Sequence, residues 1–163
     1  MSDCCAFYRG KVSFSSEPEV WREIGNASRL VLMPVVDDMV PLDADLNDTC
    51  CGWISCGIEL TFSCMTPENL SMALSSLLEY GPSQARHNAG TRCGARGALK
   101  FDGFNQFGGQ IQLFVPYVEF RPTGNLNMIS TEIEQITLTG SVRLKNTSEG
   151  TWFNVVTYSE ETC

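Results

Sequence analysis

The sequence is poor in the residues that most often carry chemistry. Its 163 residues include one histidine, His87, so an imidazole-based triad or a thiol–imidazole pair has a single place to form. The cysteines include no C-x-x-C pair: Cys4–Cys5 and Cys50–Cys51 are adjacent, and Cys56, Cys64, Cys93 and Cys163 stand singly. Zinc sites need clustered Cys and His ligands at short fixed spacings, which this set does not offer. G-x-S-x-G, the phosphate-loop G-x-x-x-x-G-K, H-E-x-x-H and the dinucleotide-binding glycine pattern are all missing. No apolar run approaches the roughly 20 residues that cross a bilayer. The opening Met1-Ser2-Asp3-Cys4-Cys5 has no basic stretch leading into an apolar one, so no secretory leader is expected.

Basic residues are missing from one long stretch. Between Arg29 and Arg86 there is no Lys or Arg, while the same stretch holds Asp37, Asp38, Asp43, Asp45, Asp48, Glu59, Glu68 and Glu79. The formal net charge is −8, and acids and bases balance elsewhere, so the whole excess lies in one third of the chain. That sign works against general binding to nucleic-acid phosphates. Residues 81–100 follow with Arg86, His87, Arg92, Arg96 and Lys100 and no acid. These are either two solvated loops or complementary patches. In the second case Asp37, Asp38, Asp43, Asp45 and Asp48 on one copy meet Arg86, Arg92, Arg96 and Lys100 on the next. Head-to-tail contacts of that kind close into rings or run on as tubes.

The oxygen-rich Asp43-Ala44-Asp45-Leu46-Asn47-Asp48 lacks the glycine and the final glutamate of a calcium-binding EF-hand. With 19 acids, carboxylate pairs suited to glycoside hydrolysis carry no specificity. Gly103-Phe104-Asn105-Gln106-Phe107-Gly108-Gly109 opens no helix and reads as a turn, and Trp21, Trp53 and Trp152 read as core or interface residues. No catalytic residue, metal or cofactor is nominated, and the chain is expected not to be an enzyme.

What is present points to strands. An apolar fraction of 43% against 18% charged residues suits one folded domain over residues 1–163. Alternating polarity predicts strands over 7–15, 28–36, 53–64, 98–101, 111–121, 129–145 and 152–158. Pro34 places the far end of the second strand at an edge or a bulge. Residues 37–52 read as a long acidic loop, a length uncommon without a function. In 53–64, Ile54, Cys56, Ile58, Leu60, Phe62 and Cys64 share the apolar face. One helix is predicted over 67–80: Thr66 caps it, Pro67 opens it, and Leu70, Ala73, Leu74, Leu77 and Leu78 form the face that packs on the sheet. Gly81-Pro82 stops it. The fold class is mainly β, a sandwich or barrel of about seven antiparallel strands with one flanking helix.

Ile58-Glu59-Leu60-Thr61-Phe62-Ser63 followed by Thr66-Pro67-Glu68-Asn69-Leu70-Ser71-Met72-Ala73-Leu74 resembles the tail tube (major tail) proteins of long-tailed bacteriophages. Those proteins often run an "E-L-T-F-T" strand into an "E-N-L-A-x-A-L" helix. Gly10-Lys11-Val12 and then Trp21 to Leu30, with its Gly25-Asn26 turn, are similar to the start of the family pattern. Val115-Pro116-Tyr117-Val118-Glu119-Phe120-Arg121-Pro122 with Leu126 and Ile129 resembles its second half. Ile136 to Val142 and the aromatic-rich Trp152 to Val156 resemble its end.

The resemblance implies the tail tube fold and a structural role. Six subunits would form a ring, rings would stack into a hollow tube, and phage DNA would pass through it. The partners implied are copies of the chain itself, other tail proteins (tape measure, distal tail, terminator) and double-stranded DNA in transit, with no membrane. The place implied is the virion, after assembly in the host bacterial cytoplasm. The loop that joins rings in this family falls at residues 37–52, and an acidic lumen would repel DNA phosphates and let the duplex slide. The alternatives are a distal tail or terminator subunit of the same fold, or a secreted binding module. Whether the cysteines pair stays open.

Overall fold

Within their described residues the alternating segments become strands, some paired with their neighbours in sequence and others with distant strands. The computed structural model describes residues 9–36, 53–90, 94–104, 109–123, 126, 135–144 and 151–158. The predicted acidic loop at 37–52 and Arg92 lie outside the described residues. Within them run β1 (Arg9–Glu17), β2 (Val20–Ile24), β3 (Ala27–Val36), β4 (Trp53–Phe62), α1 (Pro67–Leu74), β5 (Leu77–Tyr80), β6 (Ala85–Asn88), β7 (Ala95–Phe104), β8 (Gln110–Pro122), β9 (Ile136–Val142) and β10 (Asn154–Tyr158). The large antiparallel sheet has the order β2-β1-β7-β8-β9-β4-β3, with β10 paired to β8, and β5–β6 form a separate hairpin. Among the described residues the fold is mainly β with one helix, in keeping with a sandwich that carries a flanking helix.

The period-two pattern of β4 predicts its burial over most of its length. Cys56, Ile58, Leu60 and Phe62 are all buried. Ile54 departs from the predicted face and is 59% exposed. The cause is the sheet around it, since β9 covers β4 only from Cys56 to Phe62. Beyond that point the β3–β4 hairpin continues uncovered, with Met33, Val35 and Val36 exposed on β3. Pro34 sits on this edge strand, opposite Cys56 and next to an irregularity in the register, where a missing N–H costs least.

The strand β8 changes phase. Leu113 and Val115 are buried, Tyr117 is exposed, and Val118 and Phe120 are buried again. Gly97 pairs with Val118 but Leu99 pairs with Val115, so β8 holds one extra residue there. Such a bulge switches which side chains face inward, and Pro116 falls inside it. The single alternating face predicted for 111–121 is therefore two half-faces. Together with Val12, Phe14, Leu99, Ile136 and Leu138, these residues build one core.

The helix is shorter than the predicted 67–80. It opens as expected: the Thr66 hydroxyl accepts from the Asn69 N–H at 3.2 Å, and Pro67 follows the cap. It ends at Leu74, where Ser75 turns left-handed at φ 48°. The Ser75 N–H donates to Met72 O, and the Ser76 N–H donates to Ser71 O at 3.0 Å. Ser71 Oγ donates to Ser76 O at 3.0 Å, an alternative to continued helix that serines supply readily. Leu77 and Leu78 keep helical spacing in the sequence, yet they lie on β5, with Leu77 exposed and Leu78 half-buried. The buried face of α1 is Asn69, Met72 and Ala73, while Leu70 and Leu74 are half-buried. Gly81 belongs to the β5–β6 turn, its N–H donating to Gln84 O at 2.7 Å.

Candidate assembly surface

The predicted basic segment is not one patch. Arg86 lies on β6 opposite Glu79, in the small hairpin. Arg96 and Lys100 lie four residues apart on β7, and so on one face of the large sheet. Ser13, Lys100, Phe114 and Asn154 form one row across β1, β7, β8 and β10. In that row the Lys100 ammonium stands 5.0 Å over the Trp21 ring, and Trp21 meets Phe114 edge-to-face at 6.1 Å. Lys100 is thus engaged with the Trp21 ring of its own molecule.

The next row along β7 carries a stronger charge cluster. Arg96, Glu119 and Ser141 are in register across β7, β8 and β9. Val118 and Phe120 point into the core, so Glu119 points to the opposite face. Arg121 shares that face, two residues on, and Arg143 follows β9, with its N–H donating to Tyr117 O at 2.9 Å. The result is one carboxylate ringed by three guanidinium groups. Arg96 Nε lies 3.2 Å from Glu119 Oε2, Arg143 Nη2 3.2 Å from Oε2, and Arg121 Nη2 3.1 Å from Oε1. The Glu119 side chain is 4% exposed, and the three arginines are between 63% and 69% exposed. The Arg121 hydrogen bond lowers the Glu119 carboxyl below its ordinary value against the opposing effect of burial, and the nearby charges of Arg96 and Arg143 add to it. A side chain at Gly140 would lie 2.2 Å from the Glu119 backbone oxygen, so the bare glycine lets β9 close on β8 here.

Of the predicted acids that are described, each already has a basic neighbour. Glu59 pairs with Arg29 at 3.5 Å, Glu68 with Arg22 at 3.3 Å, and Glu79 faces Arg86 across the hairpin. The Tyr80 hydroxyl donates to Glu68 Oε1, which lowers the Glu68 carboxyl and raises the Tyr80 phenol. Arg22, Glu68 and Tyr80 line a cavity of about 390 Å³ between α1, β2 and β5, together with Met72, Leu78 and Arg96. Asp37, Asp38, Asp43, Asp45 and Asp48 lie outside the described residues. Among the described residues, no group of three His, Cys, Asp or Glu side chains is placed to hold a metal ion. Cys56 is a free, buried thiol whose pKa burial raises, which suits packing rather than nucleophilic attack.

Large apolar side chains remain uncovered on β10 and at points on the interior strands β7 and β8. All five residues of β10 are exposed, Val155 and Val156 on opposite sides among them. Phe104, Tyr117 and Tyr158 are each more than half exposed. Edge strands carrying such residues are surfaces where another chain can add. Glu119, Arg121 and Arg143 were not singled out by sequence reasoning. The available signal was Glu119-x-Arg121 in a strand, which places both on one face; only strand pairing brings Arg96 and Arg143 to them.

No protein-family model matches this chain, and no curated protein is similar enough to identify a relative. Among the described residues no helix is long and apolar enough to cross a membrane.

Proposed function

We propose that this chain is the tail tube subunit of a long-tailed bacteriophage, a virion protein whose work is assembly rather than catalysis. Copies join as six-membered rings in the host cytoplasm, and rings stack into a hollow tube that carries double-stranded DNA. The observation that carries the reading is the junction at residues 58–74. There the "E-L-T-F" segment lies in β4, and the chain passes directly into the Thr66-capped, eight-residue α1 bearing "E-N-L-S-M-A-L". Uncovered apolar residues on β3 and β10 supply surface that copies can bury against each other. The acidic surplus between Arg29 and Arg86 keeps DNA phosphates from adhering.

Sedimentation velocity of the purified chain over a wide concentration range tests this. The reading expects abrupt growth into large, open-ended assemblies above a threshold concentration. A species that stays monomeric throughout, also with the other tail proteins added, contradicts it. Growth that halts at one closed ring points instead to a distal tail or terminator subunit.

A further inference from the structure

We propose that Arg96, Arg121 and Arg143 form a carboxylate receptor for the acidic 37–48 segment of a second copy of this chain. The inference rests on the assembly reading above and names the contact within it.

One carboxylate and three guanidinium groups leave two positive charges in one small area of the sheet's outer face. A single guanidinium can satisfy a carboxylate bidentately, so Glu119 has no need of three. Among the described residues Glu119 is the only acid these arginines pair with. Like charges held this close repel one another, and a further anion relieves that repulsion.

Geometry agrees. Each guanidinium has five N–H donors, and the contacts to Glu119 occupy few of them. The rest lie on side chains that are largely exposed. Glu119, nearly buried between the strands, holds the three planar groups in place, so a visiting carboxylate meets donors already oriented. Preorganised donors lose less freedom on binding than free lysines would.

The occupant follows from the chain's own imbalance. Five aspartates, Asp37, Asp38, Asp43, Asp45 and Asp48, occur within twelve residues that hold no base. Glu23, Glu59, Glu68 and Glu79 already have basic neighbours. Surplus cation on one face and surplus anion in one segment of the same chain suit a heterologous contact, which repeats from copy to copy.

The test uses the full chain at a concentration where it is monomeric. A synthetic peptide spanning residues 37–49 is titrated in by calorimetry, against the wild type, Arg121→Gln, Arg143→Gln and the control Arg86→Gln. Binding to the wild type and to Arg86→Gln, weakened about tenfold or more in each of the other two, supports the proposal. No peptide binding by the wild type, or equal binding by all four, overturns it. A second arm mixes Arg143→Gln with Asp43→Asn/Asp45→Asn/Asp48→Asn. Neither should assemble alone, and together they should form a heterodimer, since one offers acids and the other arginines. Normal assembly of Arg143→Gln by itself contradicts the proposal while leaving the tube reading intact. Retention of a DNA duplex in place of the peptide, lost in Arg143→Gln, also contradicts it.

Discussion

Glu119 and Arg96 face each other across the β7–β8 ladder at 3.2 Å, the first nearly buried and the second largely in solvent. This pairing couples the sheet's stability to a surface charge. Glu119→Gln leaves three arginines around a neutral amide, and we expect it to destabilise the fold by about 1.5–3 kcal/mol at pH 7, the range for hydrogen bonds to charged groups. Chemical denaturation of the two proteins measures it.

Acid sensitivity has a defined sign. Glu119 and Glu68 both have lowered pKa values when folded, the first through Arg121 and the second through Tyr80. Their contribution is complete above the unfolded value of about 4.3 and fades as pH falls through the lower folded values. Melting temperature should therefore drop below about pH 4.3, and Glu119→Gln should drop less steeply over the same window.

The helix gives a contrast between neighbours. Ala73 is fully buried and Leu74 only half-buried. Ala73→Asp should cost at least about 3 kcal/mol, because it buries an unpaired charge. Leu74→Asp should cost clearly less. Thermal melts that rank the two in the opposite order would remove the observed packing of α1 from the account.

The close approach of β9 to β8 is testable at one position. Gly140→Ala places a methyl group 2.2 Å from the Glu119 carbonyl oxygen, where backbone must shift. We expect destabilisation of about 1–3 kcal/mol, read from the denaturation midpoint.

Self-association should weaken as salt rises. The Debye length falls from about 10 Å at 0.1 M to about 3 Å at 1 M, which screens contacts between exposed charges. Light scattering across that range should show the assembly threshold moving upward. A threshold that falls with salt would assign the contact to apolar surface alone.

Much of the fold is visible in local pattern, because strand periodicity and helix capping are short-range. The segment 53–64 shows its buried face from Cys56 onward, and Thr66-Pro67 marks the helix start. Errors arise where distant contacts decide and, at the helix end, where competing local hydrogen bonds do. Ile54 reads as core until the extent of β9 is known. Leu77 and Leu78 continue a helical spacing that Ser75 and Ser76 interrupt with their own hydrogen bonds. The bulge at Pro116 depends on what β7 requires of β8. The charge cluster is the least legible feature, since Arg96 on β7, Glu119 on β8 and Arg143 just after β9 are brought together only by strand pairing. The predicted segment from Arg86 to Lys100 was contiguous in sequence but is divided between two sheets.

The proposed function requires that copies of the chain build a hollow tube. Negative-stain electron microscopy of the concentrated protein tests it most directly. The account predicts long tubes of stacked rings with a stain-filled lumen. A field of separate monomers at the same concentration, unchanged when the other tail proteins are added, would contradict it.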